Sequence, residues 1–221
     1  MKRIAAVIFC CAALGAQVAK EANSRYQTHE GRDGVARGLA APDRDERQKP
    51  RELIEAMTIK PGMSVVDIGT GVGYMLPFLS HAVGPGGRVF GEDIFDDFLD
   101  QAKQRVQREK LENVTFVKGT ERDPMLPAGS VDIALALDSY HHYDYPAEML
   151  AGIHRALKPG GHLVLVEYYK SKNAMPNGNA LQHIRLDKPD VVKEIESNHF
   201  KLLSQHDHVK GSQYLAVFEK Q

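Results

Sequence analysis

The chain has 221 residues, 43% of them apolar and 26% charged, with 19 Gly and 11 Pro. That composition belongs to a globular domain and excludes a disordered or collagen-like chain. Lys and Arg number 28 against 29 Asp and Glu, a net charge of −1, so no overall positive field gathers phosphates and nucleic acid is not expected as a partner.

Lys2 and Arg3 precede an apolar run over 4–14, and Gly15, Ala16 and Ala19 follow as candidate cleavage points. A bilayer takes about 20 apolar residues to span, so the run reads as a secretory signal peptide, placed at 1–19. Both cysteines, Cys10 and Cys11, lie inside it. The mature protein then carries no thiol, which suits an oxidising compartment. The expected location is periplasmic or secreted, with no stable membrane insertion after cleavage; a cytoplasmic protein, or one tethered by an uncleaved segment, is the alternative. Residues 20–49 are polar, with the charged run Asp43-Arg44-Asp45-Glu46-Arg47, and read as an arm or lid ahead of a domain over 50–221.

From there short apolar runs alternate with amphipathic stretches, the α/β pattern. A helix begins at Pro50, carries Leu53, Ile54 and Met57 on one face, and breaks at Lys60-Pro61-Gly62. Strands are expected at 63–68, 88–91, 114–117, 131–137, 162–166, 200–205 and 214–218, with helices at 73–82, 146–157 and 189–197. Another helix shows Phe95, Phe98, Leu99, Ala102 and Val106 at helical spacing, with Asp96, Asp97 and Asp100 at its N-terminal end, where the helix dipole favours negative charge. Only the short Lys210-Gly211 turn separates the last two strands, so they must pair antiparallel. The expected fold is a doubly wound, seven-stranded, mostly parallel sheet with an antiparallel C-terminal hairpin strand.

Asp67-Ile68-Gly69-Thr70-Gly71-Val72-Gly73-Tyr74 is an apolar strand that ends in an acid and then turns through three glycines into a helix. Glycines let a ligand approach the backbone; Asp67 can receive an ammonium and the helix N-terminus a carboxylate, the two ends of an amino acid. A dinucleotide fingerprint would need glycine at the place of Tyr74. The acid Asp93 stands 24 residues beyond Gly69, a spacing that suits a carboxylate gripping ribose hydroxyls, or one capping the following helix.

These motifs, with Leu126-Pro127-Ala128-Gly129-Ser130-Val131-Asp132 and Leu157-Lys158-Pro159-Gly160-Gly161, resemble the class I S-adenosylmethionine-dependent methyltransferases over about 50–218. The resemblance implies S-adenosylmethionine as cofactor and a small-molecule methyl acceptor. By position it assigns Asp67, Gly69 and Gly71 to the methionine end, Asp93 to the ribose, the turn Gly119-Thr120-Glu121 to the adenine, and Thr70, Gly73 and Asp138 to the same cofactor site. Many relatives carry Asp where Thr120 stands. The segments 44–50 and Asp138-Ser139-Tyr140-His141-His142 resemble a subgroup of small bacterial methyltransferases, which often has Trp in place of Arg47.

Methyl transfer from a sulfonium is an in-line displacement, so holding the acceptor in line can supply about 7–11 kcal/mol. Where the acceptor must lose a proton, the loop after the fourth strand offers His142, then His141, as general base. Glu167, Tyr168, Tyr169, His183 and Arg185 form a second acceptor-side group. No metal is expected: a set of Asp138, Glu167 and His142 lacks the second carboxylate-amide pair of the catechol-type members, since Tyr168 follows Glu167. The alternatives are a non-catalytic adenosyl-ligand binding protein, an NAD-dependent oxidoreductase and a methyltransferase of exported proteins. The sequence leaves the oligomeric state open.

Overall fold

A computed structural model describes residues 17–221. The expected signal segment lies, up to residue 16, outside the described residues. Seven strands form a single sheet in the order β3-β2-β1-β4-β5-β7-β6. They are β1 (Ser64–Ile68), β2 (Arg88–Asp93), β3 (Val114–Lys118), β4 (Val131–Leu137), β5 (Leu157–Tyr168), β6 (Phe200–Val209) and β7 (Gln213–Lys220). The first five pair in parallel. β7 runs antiparallel to both β5 and β6, so one strand is reversed, as the short turn requires.

Alternate residues of each strand feed different cores. Val65, Leu135, Val164 and Val166 pack against helices α3 (Pro50–Met57), α4 (Leu76–Val83) and α5 (Asp96–Glu109). Val66, Ala134, Leu163 and Leu165 face α6 (Pro146–Ala156) and α8 (Lys188–Glu196), which contribute Leu150, Ile153 and Ile195. A parallel sheet buried on both faces explains why these strands read as continuous apolar runs.

Two boundaries depart from the sequence reading. The turn expected at 158–161 lies inside β5, as a bulge between the pairs Val131–Leu157 and Ile133–His162. A Cβ on Gly161 would lie 2.9 Å from the Lys158 carbonyl oxygen and 3.0 Å from that of Asp132, so only glycine lets the strand double back there. β6 runs on to Val209 because pairing to β7 satisfies its backbone even though residues 203–207 are exposed. Among the described residues no helix is long and apolar enough to cross a membrane.

The arm is helical and lies on the domain. A 3-10 turn (Ser24–Gln27) leads into α1 (His29–Leu39) and α2 (Arg44–Gln48). Arg32 donates to Asp97 at 2.7 Å, and Tyr26 stacks on Phe95 with ring centroids 5.8 Å apart. Val18 and Ala19 are anchored too, donating their backbone N–H groups to the carbonyl and carboxylate of Asp144.

Leu135, fully buried at the centre of β4, tests the sheet core. Leu135→Ala should lower unfolding free energy by about 2–5 kcal/mol in urea denaturation.

Candidate functional site

The strand order changes direction between β1 and β4, and an open α/β sheet binds ligands in the crevice at the carboxyl ends of such neighbours. A crevice of about 980 Å³, including its open mouth, lies there. Gly69, Gly71 and Gly73 have φ of 72°, 56° and 76°, the left-handed region that L side chains avoid. The Thr70 N–H donates to the Glu92 carbonyl at 2.8 Å, tying the bend to the end of β2.

Of the expected site residues, Gly69, Thr70, Gly71, Asp93, Thr120, Glu121, Asp138 and His142 line this crevice. Asp67, Gly73 and His141 are not on its wall. Asp67 acts from behind, accepting the Thr70 hydroxyl at 2.7 Å. Gly73 serves packing: a Cβ there would lie 3.0 Å from the Cβ of Ala102 on α5. His141 lies beside His142, ring centroids 4.1 Å apart.

The carboxylates beneath the bend are buried. Asp93 accepts backbone N–H groups from Gly71 at 2.8 Å and Phe95 at 2.9 Å, which ties the glycine bend to the loop entering α5, and no side chain caps that helix. Glu92, 1% exposed, accepts from the Gly69 N–H while its Oε1 has no partner. Burial pushes the carboxyls of Asp67 and Asp93 up to about 6. Glu92 is also raised, first by burial and then by Asp93. Asp138, held at φ 51°, accepts from the amides of Gln48 at 2.6 Å and Gln213 at 2.7 Å, which joins arm, β4 and β7. Burial and then the Glu167 charge raise it as well.

Tyr26 and Gln213 carry no signal in the sequence, whereas Arg44 and Gln48 lie in the 44–50 segment but had no site role assigned to them. Arg44 stacks over the Tyr74 ring at 4.1 Å and lines the crevice; its place in the 44–50 segment is the signal that pointed to it. Gln48 and Gln213 are 3% and 0% exposed, and nothing local in the chain announces that burial.

Where His142 lines the crevice, the Asn23 amide donates to the His142 carbonyl at 2.9 Å and to Asp144 at 3.1 Å, so its Oδ1 faces His142 Nδ1 at 2.8 Å. That ring therefore carries its proton on Nδ1 and keeps the Nε2 lone pair. Tyr26 packs edge-on against His142, centroids 4.8 Å apart. Glu167 accepts His141 Nδ1 at 2.7 Å and the His141 N–H at 3.1 Å. Burial lowers the basicity of both histidines well below the usual imidazole range.

The groups present fit an adenosyl amino acid: a glycine cradle closed to side chains, a carboxylate with an unpartnered oxygen, and an arm guanidinium. A Cβ on Gly69 would lie 2.9 Å from that of Ser139, and one on Gly71 2.9 Å from Leu39 Cδ1.

Asp67 gives a pH test. Its unfolded carboxyl ionises near 3.9 and its folded one near 6. Between those values only the unfolded chain ionises, so this group's contribution to stability falls as pH rises from about 4 to 6. Across that window Asp67→Asn should gain about 3 kcal/mol relative to wild type in a urea-denaturation pH series. Parallel curves would contradict the shift.

Residues 66–165 match the methyltransferase domain family. The chain is 32% identical over 135 residues to an S-adenosyl-L-methionine-dependent Diels-Alderase of Talaromyces variabilis, covering 60% of this chain and 45% of that protein. It is 32% identical over 124 residues to the demethylmenaquinone methyltransferase of Lactococcus lactis, covering 54% and 49%. The chain thus spans about half the length of these curated relatives. A solved SAM-dependent methyltransferase of Aquifex aeolicus shares the fold, with TM-score 0.78, 24% identity, and coverage of 85% of this chain and 98% of that one. Sheet order, glycine bend and matched segment agree with one another, and together they support a class I S-adenosylmethionine-dependent methyltransferase.

Proposed function

We propose that the chain, exported from the cytoplasm, binds S-adenosylmethionine in this crevice and transfers its methyl group to a small-molecule acceptor by in-line displacement. The observation that carries the reading is the crevice itself: a glycine bend, buried acids and an aromatic-lined arm meet at the switch point of a methyltransferase sheet. When bound, the cofactor supplies an electrophilic methyl carbon on a positively charged sulfur.

The chain's own groups divide the work. Gly69 and Gly71 keep the backbone open to the amino-acid end, and the Arg44 guanidinium takes its carboxylate. A carboxylate has about four lone-pair positions, and Asp93 uses two of them on Gly71 and Phe95. The others serve the ribose hydroxyls. Thr120 and Glu121 border the adenine end, with Phe95 and Phe98 beside it. The buried acids favour the cofactor's positive charge.

Asn23, His142, Tyr143 and Asp144 wall the acceptor end. The Nε2 lone pair of His142, met only by the Tyr26 hydroxyl at 3.4 Å, takes a hydrogen bond from the acceptor, and His141 supports it from behind. A base of depressed basicity contributes less than one tuned to neutral pH, so positioning carries most of the rate, about 7–11 kcal/mol when orientation is good. The similarity to a cofactor-dependent Diels-Alderase favours a second reading, in which the adenosyl pocket serves a reaction without methyl loss. Release of S-adenosylhomocysteine on addition of an acceptor separates the two.

Calorimetric titration with S-adenosylhomocysteine should show one site, and Asp93→Ala should bind about 10- to 100-fold more weakly, the range for a charged hydrogen bond. NAD should give no heat; NAD binding in preference to the adenosyl ligand would overturn the reading.

Export has its own test. Because Val18 and Ala19 are anchored on Asp144, cleavage after Gly15 or Ala16 keeps those bonds, whereas cleavage after Ala19 removes them. Intact-mass measurement of the mature protein should place its N-terminus at Ala16 or Gln17. A protein retaining Met1 would contradict export by cleavage.

A further inference from the structure

Three imidazoles converge behind the acceptor wall. One ring nitrogen from each of His141, His142 and His183 lies within 4.8 Å of the other two. The ring centroids of His183 are 4.9 Å from His141 and 5.2 Å from His142. His183 closes the short helix α7 (Ala180–His183), which Ala180 and Ile184 anchor against Tyr168 at the end of β5. The chain thus returns after 40 intervening residues to place a third ring on an adjacent pair.

Two of the rings are already oriented. Glu167 engages Nδ1 of His141 and Asn23 engages Nδ1 of His142, which leaves Nε2 of each turned to other partners. The nearest to His142 Nε2 is the Tyr26 hydroxyl, at the long distance of 3.4 Å. Among the described residues no side-chain hydrogen bond engages the His183 ring. A carboxylate or amide on the far nitrogen of an imidazole is the usual support for a metal-ligating histidine. Glu167 brings negative charge to the cluster, while Arg185 is paired with Glu194.

We propose that His141, His142 and His183 hold one divalent cation of the Zn²⁺ class, with its fourth coordination position open on the side of the crevice that His142 lines. Three neutral nitrogens suit late first-row cations better than Mg²⁺ or Ca²⁺, which prefer oxygen. Three protein ligands plus an open position is the arrangement of catalytic rather than structural zinc. Zn–N bonds of about 2.0–2.1 Å place tetrahedral ligand atoms about 3.4 Å apart, so the cluster tightens on binding, and His183, the partly exposed ring on the short helix, supplies the movement. A cation there binds and polarises an oxygen or nitrogen of the acceptor next to the methyl-donor pocket. His142 then serves as a ligand rather than as a base. The set differs from the carboxylate-rich one weighed from sequence, because His183 replaces Asp138 and Glu167 stands behind His141.

The cation site can be tested without any cofactor. The untagged protein, stripped with a chelator, is titrated with Zn²⁺ alone by calorimetry and with Co²⁺ alone by visible absorption. Wild type should bind one ion per chain with Kd below about 1 μM and give the d–d bands of tetrahedral Co²⁺. His183→Ala should bind at least 100-fold more weakly while melting as wild type does. Asn23→Ala should lose about 10- to 100-fold, the usual effect of removing such a support, and His154→Ala, altering a histidine outside the cluster, should change nothing. Kd above 1 μM for wild type, or His183→Ala and wild type binding alike, overturns the proposal. Either result leaves the adenosyl-binding reading intact, since that is read from a separate titration.

Discussion

The buried negative charge beneath the glycine bend is the constraint on which the rest of the molecule depends. Asp67 is the last residue but one of β1, Glu92 and Asp93 close β2, and Asp138 follows β4, so neighbouring parallel strands deliver four acids to one place. Lost hydration and mutual repulsion both oppose their ionisation. Backbone N–H groups of Gly69, Gly71 and Phe95 and the amides of Gln48 and Gln213 offset part of that cost. A cation in the crevice offsets more. The pocket is therefore prepared for a positively charged ligand before one arrives, and the apolar sheet below supplies the rigidity that holds the acids together.

The arm completes the enclosure. Its interactions are spread along its length: Asn23 on His142, Arg32 on Asp97, Leu39 over Gly71, Arg44 over Tyr74 and Gln48 on Asp138. Most of these partners also line the crevice or border it, so seating of the arm and shape of the pocket are coupled. An arm built of short helices with few buried apolar residues, Ala36 among them, gains most of its stability from such contacts and little from its own length.

Much of this was legible in the chain. Continuous apolar runs between glycine turns specify a parallel sheet covered on both faces, and the short turn at Lys210-Gly211 forces the reversal of β7. The glycine bend and Asp93 could be read because local backbone geometry demands particular residues there. What could not be read was tertiary in origin. His183 meets His141 and His142 only through the packing of a loop, the burial of Gln48 and Gln213 depends on elements far apart in sequence, and the doubling of β5 at Gly161 depends on the neighbouring carbonyl of Asp132. Periodicity reports which face of an element is apolar; it does not report which distant polar groups meet.

If the three histidines hold a cation, the two halves of the crevice have opposite characters, acidic at the glycine bend and electrophilic on the side that His142 lines. The electrostatic account is tested most directly by carboxyl ¹³C NMR titration of Asp67 and Asp93, with and without S-adenosylmethionine. Midpoints near 6 in the free protein, moving down when the cofactor binds, are the predicted result. Midpoints near the ordinary value of about 3.9, unmoved by the cofactor, would contradict it.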